Sequence, residues 1–209
     1  MTRVAAVILA GGRGERLGGV IKANLEIGGL RLLDRVAVRL TAADMILVAH
    51  GAIATQALRL APGQIPIPDL STPYAGPLAG LAAAVAWCLA QPEPPDILVA
   101  AAVDTPFLPA AYFPRLVAAL DAAPAAICRH AGQDYPTNAA WRLAAIATLP
   151  ADMIAGTAPH SLKRLAQSVG AIALDWSAEN GGDPFANANT PADLAALELR
   201  AGSTASRHK

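Results

Sequence analysis

A single α/β domain built on a mixed, mostly parallel sheet is what this 209-residue sequence predicts, and three observations predict it. Short apolar runs without polar alternation recur between helix-like segments, the pattern of parallel strands buried on both faces. The first such run, Val4–Leu9, breaks into glycines, as strands do where they lead into ligand loops of open α/β sheets. Beyond residue 124 the rhythm changes to two apolar runs joined by a polar turn, which brings in antiparallel pairing. Helices are expected on both faces, giving three layers, α/β/α.

The elements follow in order. Val4–Leu9 is a buried strand, ended by Gly11 and Gly12. Arg31–Leu40 places Leu32, Leu33, Val36 and Leu40 on one helical face, with Arg35 and Arg39 opposite. Met45–Ala49 is a second strand and Gln64–Pro68 a third. Leu78–Leu89 is an Ala-rich helix, apolar nearly all round, and so is expected to pack against the sheet. Ile97–Val103 is the central strand, running into DTPFLP, and Ala111–Leu120 is the helix after it. Ala125–Arg129 and Tyr135–Trp141 form a hairpin around His130–Asp134. Ser161–Val169 is a helix, Ala171–Trp176 an edge strand and Pro191–Leu199 the last helix. No repeat, long linker or shift in composition divides the chain. One domain is therefore expected over residues 1–199, with a flexible, small and polar C-terminal tail at 200–209.

Composition narrows the function classes. Sixteen Lys and Arg balance sixteen Asp and Glu, with no basic block, so neither nucleic acid nor an anionic membrane is an expected partner. Cys88 and Cys128 stand far apart among apolar residues without CxxC spacing, which fits buried thiols in a reducing compartment and gives zinc no support. The apolar start is too short and too soon glycine-rich for a signal peptide, and no uninterrupted run approaches the ~20 apolar residues of a spanning helix. The expectation is a cytoplasmic protein. His50, His130 and His160 fall in loops or at segment ends, where a structural or solvated role is the default.

The chemistry concentrates after the first strand. From Ala10 to Ile21 the chain carries five glycines with Arg13 and Arg16, closed by Lys22. A loop of this kind aims backbone N–H groups at phosphates. It is not a Walker A loop, since GERLGG from Gly14 is not followed by Lys-Ser/Thr. It is not a dinucleotide fingerprint either: Gly12 and Gly14 fit, but Leu17 takes the third glycine's place, and MILVAHG lacks the ribose-binding acid. Forked Arg donors and a Lys point charge suit a triphosphate.

LAGGRGERLGGVIK resembles the LAGGxxxRxGGxDK signature of the MobA-type nucleotidyltransferases, the molybdenum cofactor guanylyltransferases. PDLSTPYAGPLAGL, VDTPFLP, DYPTNAAWR and FANANTPADL are similar, in order, to that family's Asp-containing segment with GPLAG, its CDxPFLP, its HPT stretch and its FxNxNTPEDL. The resemblance implies a Rossmann-like, nucleotide-diphospho-sugar transferase-like fold. It also implies transfer of GMP from GTP to the terminal phosphate of molybdenum-bound molybdopterin, with release of pyrophosphate. Such a transfer needs no protein nucleophile; it needs two anions held in line and their charge neutralised, for which Mg²⁺ is the expected cofactor.

Residue by residue, the resemblance assigns nucleotide contacts to Leu9, Ala10, Gly11, Gly12 and Arg13, and phosphate contacts to Lys22. Arg16 joins Lys22 and Asp104 as a catalytic candidate. Asp104 follows the central strand directly and is the expected metal ligand, although Asp before Thr105-Pro106 also suits an Asx turn. Asp69 is assigned to the nucleotide pocket, on the guanosine side, with a loop turn as its structural alternative. Gly76, Pro77, Leu78, Ala79 and Gly80 are assigned there too, and they also read as an ordinary helix entry. Asn187 and Asn189 are assigned to molybdopterin, while Thr190, Pro191 and Asp193 are explained by helix capping alone. Two positions depart from the family pattern: Ile21 stands where it has Asp, and Ala49-His50 where it often has Asn. Transfer from CTP, another acceptor, or a nucleotide-binding regulator without turnover remain the alternatives. Partners implied are GTP, molybdopterin and, transiently, molybdoenzymes, their chaperones or other cofactor-biosynthesis proteins.

Overall fold

Every residue of the first strand, β1 (Val4–Leu9), is buried because a core lies on each of its faces. Val4, Ala6 and Ile8 enter one apolar cluster, and Ala5, Val7 and Leu9 enter the other. Strand side chains alternate between faces, so a run without a polar position marks a strand covered twice. The computed structural model describes residues 2–11, 17–51, 57–70, 76–178 and 182–205. Its remaining strands are β2 (Glu26–Ile27), β3 (Leu30–Arg31), β4 (Met45–Ala49), β5 (Gln64–Ile67), β6 (Ile97–Ala102), β7 (Ala125–His130), β8 (Gln133–Arg142) and β9 (Ile172–Asp175). The helices are α1 (Leu32–Ala37), α2 (Pro77–Leu89), α3 (Tyr112–Ala119), α4 (Leu149–Ala155), α5 (Leu162–Ser168) and α6 (Pro191–Ala205).

Seven strands form one sheet in the order β5-β4-β1-β6-β8-β7-β9. β1 pairs parallel with β4 and β6, and β8 lies antiparallel between β6 and β7. Residues of α1, α3 and α6 join the core on one face, those of α2, α4 and α5 the core on the other. This is the expected mixed α/β/α sandwich. α2 is apolar all round because it packs against β1, β4 and β5 on one side and α4 on the other. The chain goes from β1 to β4 and β5 on one side, then returns to β6 on the other. Connections diverge at the β1/β6 boundary, which opens a crevice at the carboxyl ends of those strands.

Four local expectations change. Arg31 belongs to a β2–β3 hairpin turning at Gly28-Gly29, so the helix expected from Arg31 to Leu40 is shorter, though Leu32, Leu33 and Val36 are buried as expected. The β7–β8 turn is only Ala131-Gly132, since the ladder continues to His130 opposite Gln133. α4 appears where no element was expected; Leu149 and Met153 alone carry its buried face, too few for a periodic signal. Finally, the last helix runs beyond the expected Leu199. α6 continues to Ala205 because Arg200 donates to the Asp183 carbonyl and stacks on Phe107, while Ala201 is buried.

Candidate functional site

Three residues remote in sequence meet beyond the carboxyl end of β6. Asp104 emerges two residues past Ala102, on a turn tied to β1 by the Val103 N–H donating to the Leu9 carbonyl at 3.2 Å. Lys22 opens a short 3₁₀ turn, Lys22–Asn24, and is only 8% exposed. Its Nζ donates to Asp104 Oδ2 at 2.9 Å and also to Asn189 Oδ1. Asn189 is set by the cap of α6: Asp193 Oδ2 accepts the N–H groups of Asn189 at 3.1 Å and Thr190 at 2.8 Å. In return, Thr190 Oγ1 accepts the Asp193 N–H at 3.1 Å, completing a capping box. The hydrogen bond with the Thr190 side chain, first, and then those from the Thr190 and Asn189 backbones hold the Asp193 carboxyl below its ordinary range, against the effect of burial. The Ala188 N–H donates to the Asp104 carbonyl at 3.0 Å, fastening this segment to the Asp104 turn.

Asp69, two residues past β5, stands in a different setting on the same sheet edge. Its Oδ1 accepts the Gly51 N–H at 3.1 Å. Glycines surround it: a Cβ on Gly11 would lie 3.4 Å from Oδ2, and one on Gly80 would lie 3.3 Å from Oδ1 and 3.1 Å from Ala49 Cβ. Gly51 has φ +57°, and a Cβ there would come within 3.2 Å of the Gly11 Cα, so only glycine lets these two loops touch. Burial raises the Asp69 carboxyl above its ordinary value, opposed by the Gly51 hydrogen bond and His50. β4 and β1 separate β5 from β6, but the Asp69 carboxylate leans toward Gly11 in the loop that follows β1.

The other expected site residues divide. The Ala10 N–H is committed to the Ala49 carbonyl at 2.7 Å and the Leu9 carbonyl to Val103. Leu78, Ala79 and Gly80 are buried in the first turns of α2, whereas Gly76 and Pro77 are exposed at its start. Asn187 is exposed on the segment that carries Asn189 and does not reach the Lys22–Asp104 pair. Gly12, Arg13 and Arg16 lie outside the described residues. Ile21 packs against the core beside the Lys22 turn, so apolar contact anchors that turn where the family pattern has a carboxylate. On the hairpin side, Tyr135 donates to Asp183 Oδ2 at 2.6 Å and His130 Nδ1 stands 3.6 Å from Asp183 Oδ1. Burial, first, and Asp183 push the Tyr135 hydroxyl up to about 12.

Two buried polar residues behind Asp104 escaped the sequence reading, Thr105 and Asn138. Local sequence does not mark them out: Asn138 follows the polar Thr137 and precedes the apolar Ala139, Ala140 and Trp141. A buried polar side chain in a strand must find a partner.

The donor set suits a hard divalent cation. Asp104 contributes a carboxylate and Asn189 an amide oxygen, and both already converge on one cationic point, the Lys22 ammonium. Among the described residues no group of three or more His, Cys, Asp or Glu could hold a metal by itself. A cation here would complete its shell with phosphate oxygens and water, as Mg²⁺ prefers.

Comparison with known proteins identifies the family and agrees with the fold. Residues 6–171 match the family described as the MobA-like NTP transferase domain. A molybdenum cofactor guanylyltransferase of Acidiphilium cryptum is 38% identical over 94% of this chain and 95% of its own length. One from Cereibacter sphaeroides is 36% identical, covering 94% of this chain and 96% of its own. The crystal structure of molybdopterin-guanine dinucleotide biosynthesis protein A from Archaeoglobus fulgidus superposes with a TM-score of 0.72 at 21% identity, covering 96% of this chain and 99% of that one.

Proposed function

The chain belongs to the MobA-like NTP transferase family, and we propose that it transfers GMP from GTP to the terminal phosphate of molybdenum-loaded molybdopterin. It is a nucleotidyltransferase, and the product is the guanine dinucleotide form of the cofactor. An oxygen of the acceptor phosphate bonds to the α-phosphorus of GTP, the bond to the β-bridging oxygen breaks, and pyrophosphate leaves with that electron pair. Both reactants are anionic, so the protein's work is to align them and offset charge.

The meeting of Lys22, Asp104 and Asn189 carries this assignment. It gathers a cation, a carboxylate and an amide at the crevice between β1 and β6. Lys22 supplies positive charge to the phosphates; Asp104 with Asn189 would hold Mg²⁺. That ion, when bound, neutralises charge developing at the α-phosphate and on pyrophosphate. Asp69 in its glycine cradle serves the guanosine end, and the exposed Asn187 faces the acceptor side. Gly12, Arg13 and Arg16 are proposed for the triphosphate on their motif alone.

No helix among the described residues is long and apolar enough to cross a membrane. Both cysteines are free and buried, which supports placing the enzyme in the cytoplasm. Transient contact with a receiving molybdoenzyme, its chaperone or another cofactor-biosynthesis protein is part of the proposal, tested by pull-down in cells making the product.

A release assay tests the function directly. Pyrophosphate should appear only with GTP and molybdenum-loaded molybdopterin together. GTP with Mg²⁺ should raise Tm more than CTP or ATP does. Equal shifts for the three nucleotides would overturn the guanylyl assignment, and absence of release with all components would overturn the enzyme.

A further inference from the structure

Asn138 owes its position to an irregularity in β8. The β7–β8 register jumps from Ile127 opposite Ala139 to Cys128 opposite Tyr135, so Pro136, Thr137 and Asn138 bulge out of the ladder. On the other side, the β6–β8 pairing ends at Ala100 opposite Ala139. A bulge re-aims a side chain, and here it turns the Asn138 amide toward the end of β6. The amide oxygen accepts the Ala102 N–H at 3.3 Å, a donor the β8 backbone no longer satisfies. The same oxygen lies 3.2 Å from Thr105 Oγ1, whose proton it shares with the Ala102 carbonyl at 2.8 Å. Tyr112 Oη, 3.4 Å away, has its proton on the Ala100 carbonyl at 2.5 Å.

The chemistry fixes which end of the amide points inward. The Ala102 N–H is an immovable donor, so an NH₂ in its path would leave two donors facing each other in a dry interior. Only the oxygen fits. One acceptor therefore ties down the residue two places before Asp104 and the residue immediately after it. With the Asp104 carbonyl also taken by the Ala188 N–H, little freedom is left to the peptide that carries the carboxylate.

We propose that Asn138 is a positioning residue for the transfer, its buried amide oxygen bracketing Asp104 through Ala102 and Thr105 and so aiming the carboxylate at the cation and phosphates. The proposal rests on the reading of Asp104 as cation ligand, and its test separates the two. Mn²⁺ is the probe: its free-ion electron paramagnetic resonance signal, titrated with full-length protein in the absence of nucleotide, reads the protein's metal affinity without turnover. Asn138→Leu and Thr105→Val remove one partner each at similar volume, and each should weaken Mn²⁺ binding about tenfold, the usual effect of losing a group that orients a ligand. Thr105→Ser keeps the hydroxyl and should stay within about twofold of the native protein. Metal-free GTP affinity should be unchanged in all three, which general loosening of the core would not allow. Asp104→Asn should lose Mn²⁺ binding.

Native-like Mn²⁺ binding by Asn138→Leu and Thr105→Val, with Asp104→Asn defective, overturns the role of Asn138 and leaves that of Asp104 standing. A parallel loss of metal-free GTP affinity overturns it as well. Native-like binding by Asp104→Asn overturns both. If Asn138→Leu does not fold, the contrast between Thr105→Val and Thr105→Ser decides alone.

Discussion

Asp104 and Asp69 stand just past β6 and β5 on one edge of one sheet, yet their surroundings are opposite. Asp104 faces the ammonium of a buried lysine at 2.9 Å. Among the described residues Asp69 faces glycines, the Gly51 N–H and the charge of His50, and burial raises its carboxyl above the ordinary value. A carboxylate held beside a cation can help organise metal and phosphate. One that is desolvated and only weakly compensated is better suited to hydrogen bonding with a neutral heterocycle, where an unmatched partner is heavily penalised. The proposed roles follow this contrast, phosphates and cation at Asp104 and the base at Asp69. Residue type alone does not tell these two carboxylates apart; their neighbours do.

The largest test removes the charged end. Asp104→Asn should lower turnover about 10³-fold, the several kcal/mol that a metal-organised phosphoryl transfer loses with its ligand. The GTP-induced rise in Tm without metal should persist, because Asp69 is untouched. If both vanish together, the two carboxylates do not divide the work as argued. Next comes Lys22→Met, expected to cost about 10²-fold in turnover. Combined with Asp104→Asn it should cost far less than the sum, since the two act as a unit. Lys22→Arg should not restore activity, because a planar fork cannot take the place of a point charge held between Asp104 and Asn189. At the base end, Asp69→Asn should raise KM for GTP about tenfold and narrow the preference for GTP over CTP, with turnover at saturation little changed.

How far this division was legible in sequence depends on the kind of contact. The central strands β1, β4 and β6 announced themselves because each is a continuous apolar run, and Asp104 because it closely follows the last of them. The cap of α6 was readable in Thr190, Pro191 and Asp193, since capping is local. That Asn189 reaches back to Lys22, 167 residues earlier, was not readable, because only the tertiary fold sets that distance. Asn138 was missed for a related reason: a bulge depends on the partner strands, and β8 alone reads as regular. The Gly28-Gly29 hairpin joins strands of two residues, too short for any period to show. Arg200 and Ala201 looked like the start of a polar tail because their packing against Phe107 and the β2–β3 turn is invisible locally.

The smallest expected effect probes the charged end through its support. Asp193→Ala removes the carboxylate that accepts the Asn189 and Thr190 N–H groups, without touching Lys22 or Asp104. Losing the capping box should cost about 1 kcal/mol of stability at neutral pH. For a chain of this length that is a drop in Tm of about 2–4 °C. Turnover should fall by about threefold as Asn189 loses its anchor, a loss on the order of 0.7 kcal/mol, while the GTP-induced Tm shift, expected to depend on Asp69, stays the same. The pH dependence has a definite sign. The Asp193 carboxyl lies below its ordinary value in the folded chain, chiefly through its hydrogen bond with Thr190. Its contribution is therefore complete above about pH 4, where the unfolded chain's carboxyl is ionised, and is lost as pH falls through the lowered folded value. Urea unfolding of the native and Asp193→Ala proteins should differ at pH 7 and converge only in stronger acid. Convergence already at pH 5, or an equal loss of the GTP shift, would mean that the cap supports the whole edge and that the two carboxylates do not stand on separate foundations.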